Sequence, residues 1–231
     1  MGTVVGGGTS SDEDFGMPPL AHRAKSRRRR RRRPGFVLAA LGSICLILAL
    51  AMGGYFAWLF WGTGLATQSA QRHLRAQVSE RIAHPVPVPS SGGSQPISVS
   101  LKDGDPMAIL RIPKIHLDMV VVEGTSVEDL KKGPGHYPAT PSPWDAHGRV
   151  AIAGHRTTYL HPFWSLDKLQ KGDLIELRTQ FGTFDYRVTS VAEVAPSAQW
   201  VLEQTKNPTL ILSTCTPRFF ASKRLVVFAS R

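Results

Sequence analysis

The sequence predicts an all-β domain in the C-terminal part of the chain, preceded by a single transmembrane helix. Three observations carry this expectation. From residue 107 onward the chain breaks into short aliphatic and β-branched runs separated by Gly, Pro, Asp and Ser. Far ahead of them, residues 36–61 contain no charged side chain, and as a helix they would measure about 39 Å against a hydrocarbon core of about 30 Å. Helix signals in the C-terminal part are confined to two short segments.

Taken in order, residues 1–26 are rich in Gly, Ser and Pro and lack aliphatic periodicity, so they cannot bury enough apolar surface to offset the entropy of ordering. Residues 1–34 are therefore expected to form a disordered, basic cytoplasmic tail. They hold nine Lys and Arg against Asp12, Glu13 and Asp14, so +6 of the chain's net charge of +11 is local to this tail. Seven of those arginines are consecutive, at 27–33. Alone, such a run would suggest nucleic-acid binding. The apolar stretch that follows argues for a different role. Arginines at one end and Tyr55, Trp58 and Trp61 towards the other are the marks of a membrane span, placed at 35–62, with a cytoplasmic N-terminus. The C-terminal domain is then outside the plasma membrane, and nucleic acid is not expected as a partner. Cleavage as a signal peptide is the minor alternative, disfavoured by the length of the apolar stretch.

Residues 67–83 place Leu74, Val78 and Ile82 on one helical stripe, expected as a stalk, a weak dimerisation surface or a solvated spacer. Residues 84–96, first polyproline-like and then rich in Ser and Gly, suit a linker. Together 63–106 are expected as an extracytoplasmic stalk and linker, leaving one domain at 107–231.

Within that domain the strand candidates are 107–112, 118–123, 149–153, 173–178, 183–194, 209–214 and 224–230, with the long fifth run able to bend into two. Such spacing suggests a closed barrel or a sandwich. The helices are expected at 125–132, opened by the capping-box pattern Thr125-x-x-Glu128 and stopped at Gly133-Pro134, and at 165–169, stopped near Gly172.

The chemistry centres on the last hairpin. If 209–214 and 224–230 pair across their loop, Cys215 lies beside Arg224, and directly opposed residues share a face. A lone cysteine is more often a buried structural residue. What shifts the balance is His155, which follows the apolar strand 149–153. A free thiol has a pKa near 8.5 and is only a few per cent thiolate at neutral pH, so a catalytic cysteine needs an imidazole or a cation beside it, and an acid for the leaving group. His136, in Gly135-His136-Tyr137-Pro138, competes for that role, but its Gly/Pro setting reads as a surface loop. Eight histidines and two cysteines raise the question of metal. No CxxC or HExxH spacing is present, so neither a metal site nor a cofactor is expected. With Cys45 inside the span and Cys215 in the exported domain, a disulfide between them is excluded by distance.

These segments resemble the sortases, cysteine transpeptidases that attach surface proteins to the bacterial cell wall. Leu212-Ser213-Thr214-Cys215 is similar to the end of their TLxTC motif, with Ile211 where the motif's first Thr stands. Arg224 follows at the spacing of their arginine, and Ala153-Gly154-His155 resembles the segment bearing their histidine. The resemblance runs from about residue 107 to 231. Gly135-His136-Tyr137-Pro138 and Gly154-His155-Arg156-Thr157-Thr158-Tyr159 are most similar to class E sortases of actinobacteria. Thr216 stands where class E often has His, and 141–149 is an unfamiliar connector.

The resemblance implies an eight-stranded sortase-type β-barrel with Cys215, His155 and Arg224 catalytic, and Thr214, Tyr137 and Tyr159 at the substrate. It implies cleavage of a sorting motif of Leu-Ala-x-Thr-Gly or Leu-Pro-x-Thr-Gly type between Thr and Gly. The acyl group then passes through a thioester to an amine of a peptidoglycan precursor. Partners would be the C-terminal sorting segments of secreted proteins, that precursor and the membrane. A membrane-tethered cysteine hydrolase and a non-catalytic scaffold module are the alternatives. Residues 200–202 are expected as the wall of a substrate groove or as core.

Overall fold

The computed structural model describes residues 34–58, 62–86 and 99–231. The expected tail with its arginine run, Trp61, and most of the Pro/Ser/Gly linker fall outside these residues. Helix α1 (Pro34–Ala57) carries no acidic residue in its first turn and no basic residue in its last. Its segment 35–57 is long and apolar enough to cross a membrane.

The β-rich part is a closed barrel of eight strands in the order β1-β2-β3-β4-β7-β8-β6-β5. The strands are β1 (Pro106–Ile112), β2 (Leu117–Glu123), β3 (Gly135–His136), β4 (Arg149–Ala153), β5 (Leu174–Thr179), β6 (Gly182–Val194), β7 (Thr209–Thr216) and β8 (Lys223–Ser230). All neighbours pair antiparallel except β2 with β3 and β4 with β7. Closure removes the exposed edges that an open sheet would present.

Seven of the eight strands fall on the runs read from the sequence. The eighth does not come from the long fifth run, since β6 is one strand of 13 residues with a register shift between Val188 and Ser190. It is the two-residue strand β3, inside the segment read as a Gly/Pro loop. Gly135 makes it possible: a Cβ there would run into the Gly124 carbonyl oxygen. Too short to show alternation, such a strand leaves no periodic trace in a sequence.

The interior is filled by alternate strand residues, among them Leu110, Ile152, Leu177, Leu212 and Val227, and by Phe163 from the loop after β4. On the outside, Ile109 of β1 and Val120 and Val122 of β2 are covered by Leu74 and Val78 of α2 (Thr63–Ala83). Both faces of these two strands are thus buried, which is why they read as nearly continuous apolar runs. Polar contacts fix the same helix in place. Gln71 accepts from Val120 N at 2.8 Å and donates to Val120 O and Lys132 O, both at 2.9 Å, and Thr67 donates to Lys131 O at 2.8 Å. The segment expected as a stalk or solvated spacer is packed on the barrel instead. Its Leu-Val stripe has a partner surface, and burying each of those side chains contributes about 1.5–3 kcal/mol.

Helix α3 (Val127–Lys132) is capped one residue later than Thr125-x-x-Glu128 predicts. Ser126 is the N-cap and Asp129 completes the capping box. Two overlapping boxes compete in Thr-Ser-Val-Glu-Asp, and the one whose acid is buried prevails: Asp129 is 3% exposed, while Glu128 pairs with Lys131 in solvent. The other expected helix is a single 3₁₀ turn, Leu166–Lys168, and further 3₁₀ turns lie at Pro113–Ile115 and Gln199–Leu202.

Candidate active site

Cys215 stands directly opposite Arg224 in the β7–β8 ladder. Alternation along β7 turns Leu210, Leu212 and Thr214 toward the barrel interior side and leaves Ile211, Ser213 and Cys215 on the outer face. On β8, Arg224, Val226 and Phe228 share that outer face. The segment 195–208 folds over it, so that Val201 and Leu202 pack on Ala151, Ile211 and Val226. Between them runs a groove of about 220 Å³, lined by Tyr137, Leu202, Ile211, Ser213, Arg224 and Val226. Residues 201 and 202 are therefore a groove wall. Trp200 points elsewhere, stacked on Phe228 at 5.9 Å.

His155 is held beside the end of β7 by bonds on either side of it. Gly154 N donates to Ser213 O at 3.1 Å, Thr214 Oγ1 donates to Gly154 O at 2.7 Å, and the Arg156 guanidinium donates to Cys215 O at 3.3 Å. Gly154 admits the ring of Phe163, which would stand 2.6 Å from any Cβ at that position. The His155 ring packs on Tyr159 with centroids 4.8 Å apart. Its Nε2 is buried and finds no hydrogen-bond partner among the described residues. Burial lowers the His155 pKa, because the imidazolium loses hydration without gaining a counter-charge.

The two tyrosines separate. Tyr137 lines the groove, where burial pushes its phenol above the usual range, Arg224 opposes the rise and Cys215 adds to it. Tyr159 lies against His155, on a backbone of positive φ (52°) that continues through Leu160 and His161. Thr214 is 3% exposed, with its hydroxyl committed to Gly154. His136 is not a surface residue: it is 2% exposed, with Nδ1 at 3.0 Å from Glu123 Oε2 and Nε2 at 3.0 Å from Pro141 O. Its buried place follows from β3, which sequence periodicity did not reveal. Arg156, in the motif Gly154-His155-Arg156, is buried at the strand end and paired with Asp167, a contact that the motif alone does not reveal. Its signal was its place next to His155. Among the described residues no group of three or more His, Cys, Asp or Glu side chains converges as a metal site would require.

A sequence family described as the sortase domain matches residues 110–231. The chain belongs to the sortase family. Sortase D of Bacillus subtilis is 35% identical over 133 residues, which is 55% of this chain and 65% of that protein. Sortase SrtE1 of Streptomyces coelicolor is 28% identical over 228 residues, 91% of this chain and 62% of that protein. The chain thus spans somewhat less than two thirds of the length of either relative. Among solved structures, the sortase D5 transpeptidase of Clostridium perfringens superposes with a TM-score of 0.59 at 28% identity, covering 70% of this chain and 98% of that one. Sortase E1 of Streptomyces coelicolor, solved with a tripeptide in its active site, superposes at 0.52 with 31% identity, covering 57% and 90%. The barrel is thus a sortase barrel, and the class E resemblance read from residues 135–138 and 154–159 agrees with these relatives.

Proposed function

We propose that this sortase is a membrane-anchored cysteine transpeptidase that cleaves a sorting motif between Thr and Gly and transfers the acyl group to an amine of a peptidoglycan precursor. The observation that carries the reading is the Cys215–Arg224 pair at the end of an apolar-walled groove, with His155 pinned beside the same strand end. The tripeptide in the related sortase E1 supports a peptide as the groove's occupant.

In the first step the Cys215 thiolate attacks the Thr carbonyl carbon. The C–N bond to Gly breaks as the thioester C–S bond forms, and the departing Gly nitrogen takes a proton from His155. In the second step the acceptor amine attacks the thioester, gives a proton to His155 and releases the Cys215 sulfur. Arg224 donates to the carbonyl oxygen as it gains charge, with a planar fork that lysine lacks. Since burial favours the neutral His155 ring, the imidazolium needed for the first step is a minor species at neutral pH. Tyr137 contacts the peptide in the groove, Tyr159 orients the His155 ring, and Thr214 acts by holding Gly154.

The apolar helix and the arginine run support a span at 35–62 with the N-terminus in the cytoplasm and the catalytic barrel outside the cell. We keep the catalytic domain at 107–231 and add α2, which is docked on its β1–β2 face.

The test uses the full chain in detergent micelles with a Leu-Ala-x-Thr-Gly peptide and an excess of a diamino-acid amine, followed by mass analysis. The conjugate of peptide and amine is expected, and Cys215→Ala should form none. Free acid alone, with the amine present, would indicate a hydrolase. Neither product, and no thioester on Cys215, would overturn the reading.

A further inference from the structure

We propose that Arg156 is a positioning residue for the active site: its guanidinium takes the place of a missing strand and, clamped by Asp167, holds the Cys215 end of β7 while His155 leaves the sheet. The inference rests on the catalytic reading given above.

The geometry begins with the parallel β4–β7 ladder. It pairs residue by residue up to Ala153 and Ser213, and Gly154 N still donates to Ser213 O at 3.1 Å. Two residues on, the Cys215 carbonyl faces the same side, where the next ladder donor would be the backbone N–H of residue 156. The chain has turned away by then. In place of that N–H stands the side chain of the same residue, with Arg156 Nη1 at 3.3 Å from Cys215 O. A carbonyl that would otherwise lose its partner is satisfied, and the backbone at 155 is released from the sheet.

A guanidinium in this place is costly. Arg156 is 6% exposed, and its Nε finds no partner among the described residues. A buried charge persists only where a counter-charge holds it. Asp167 supplies that charge at 3.1 Å from Arg156 Nη2, and the same carboxylate receives Arg218 Nη2 at 2.9 and 3.0 Å. Arg218 also donates to Trp164 O at 3.0 Å and lies over the Trp164 ring at 4.7 Å. The turn after His155, the turn at 164–168 and the β7–β8 loop therefore meet at one carboxylate. Backbone satisfaction alone would need only a neutral donor. A shared ion cluster fixes three segments against one another, and two of them continue directly from His155 and from the Cys215 end of β7.

The experiment measures kcat and peptide KM for the full chain in detergent with the parent, Arg156→Met, Arg156→Lys, Asp167→Asn and the Arg156→Met/Asp167→Asn double variant. Arg156→Met should lose at least tenfold in kcat with KM within twofold, because the groove that binds peptide is lined by other residues. Lysine cannot bridge Cys215 O and Asp167 with two parallel donors, so Arg156→Lys should fall between Met and the parent. The double variant should be no slower than Arg156→Met alone, since both changes release one clamp. Parent-like kcat in both Arg156→Met and Asp167→Asn would overturn the inference, as would a loss in step with the unfolded fraction and recovered on cooling. If Arg156→Met fails to fold, Asp167→Asn decides, its side chain being 40% exposed and the substitution removing the charge while keeping the shape. A parent that forms no thioester would instead count against the catalytic reading, whereas an inactive Cys215→Ala beside a fully active Arg156→Met would count against this inference alone.

Discussion

Thr214 Oγ1 donates to the Gly154 carbonyl oxygen at 2.7 Å, and this one bond ties the residue before Cys215 to the residue before His155. Thr214→Val keeps the shape and removes the donor, leaving a buried carbonyl short of a partner. A loss of about 1–3 kcal/mol in stability is expected, with a fall in kcat that Thr214→Ser recovers. Thermal unfolding and peptide turnover check it. A Val variant with parent stability and rate would show that the bond positions nothing.

The three proposed catalytic side chains should rank by role. Cys215→Ala should form no thioester, and His155→Ala should acylate at most slowly because the leaving amine has no acid. Arg224→Lys keeps the charge opposite Cys215 but not the planar fork, so a loss of roughly tenfold or more in kcat is expected. Parent-like turnover by Arg224→Lys would remove the oxyanion role.

The lowered pKa of His155 has consequences for both stability and rate. Between its folded value and the ordinary value near 6.5, the unfolded chain binds the proton that the folded one refuses. Stability therefore rises with pH through that window and is lost on acidification below about pH 6.5. The parent's Tm should fall more between pH 7.5 and 5 than that of His155→Gln. Turnover should follow a bell-shaped profile, since thiolate and imidazolium must coexist and each side of the optimum depletes one of them. A flat Tm difference between the two proteins across this range would contradict the buried, uncompensated imidazole.

Tyr137 lines the groove and Tyr159 does not, so they should differ in substrate choice. Class E resemblance favours Leu-Ala-x-Thr-Gly over Leu-Pro-x-Thr-Gly, and Ala has the backbone N–H that Pro lacks. If the Tyr137 oxygen accepts from that N–H, the Pro peptide leaves it unpaired, at about 1–3 kcal/mol or roughly ten- to a hundredfold in kcat/KM. A hydrogen bond accepted by the phenol oxygen is lost in Tyr137→Phe, which should shrink the ratio, while Tyr159→Phe should leave it unchanged. A parent that prefers the Pro peptide would refute the assignment of specificity.

Membrane orientation is open to a direct check. With the proposed orientation, in which the arginine run keeps the N-terminus inside, protease added to intact spheroplasts should release the barrel by cutting within 84–96. Digestion of residues 1–26 with that linker protected would reverse the topology.

What the sequence determined by itself was whatever local pattern controls. The charge-free stretch, seven of the strands and the hairpin that sets Cys215 against Arg224 were legible because hydropathy, β-branching and turn residues act over a few neighbours. So was the glycine before His155, though not its reason, the ring of Phe163. Tertiary structure decided the rest. Gly135–His136 becomes a strand only because β2 and β4 approach it from either side, so His136 is buried rather than at the surface. The stripe of Leu74 and Val78 is a docking face only because Ile109, Val120 and Val122 are there to receive it. Ser126 rather than Thr125 caps α3 because its partner acid, Asp129, is buried and Glu128 is not. Arg156, Asp167 and Arg218 lie 11 and 51 residues apart in turn, and only closure of the barrel brings the two guanidiniums to one carboxylate. Contacts between residues so distant in the chain have no period and no spacing, so they leave no local signal to read.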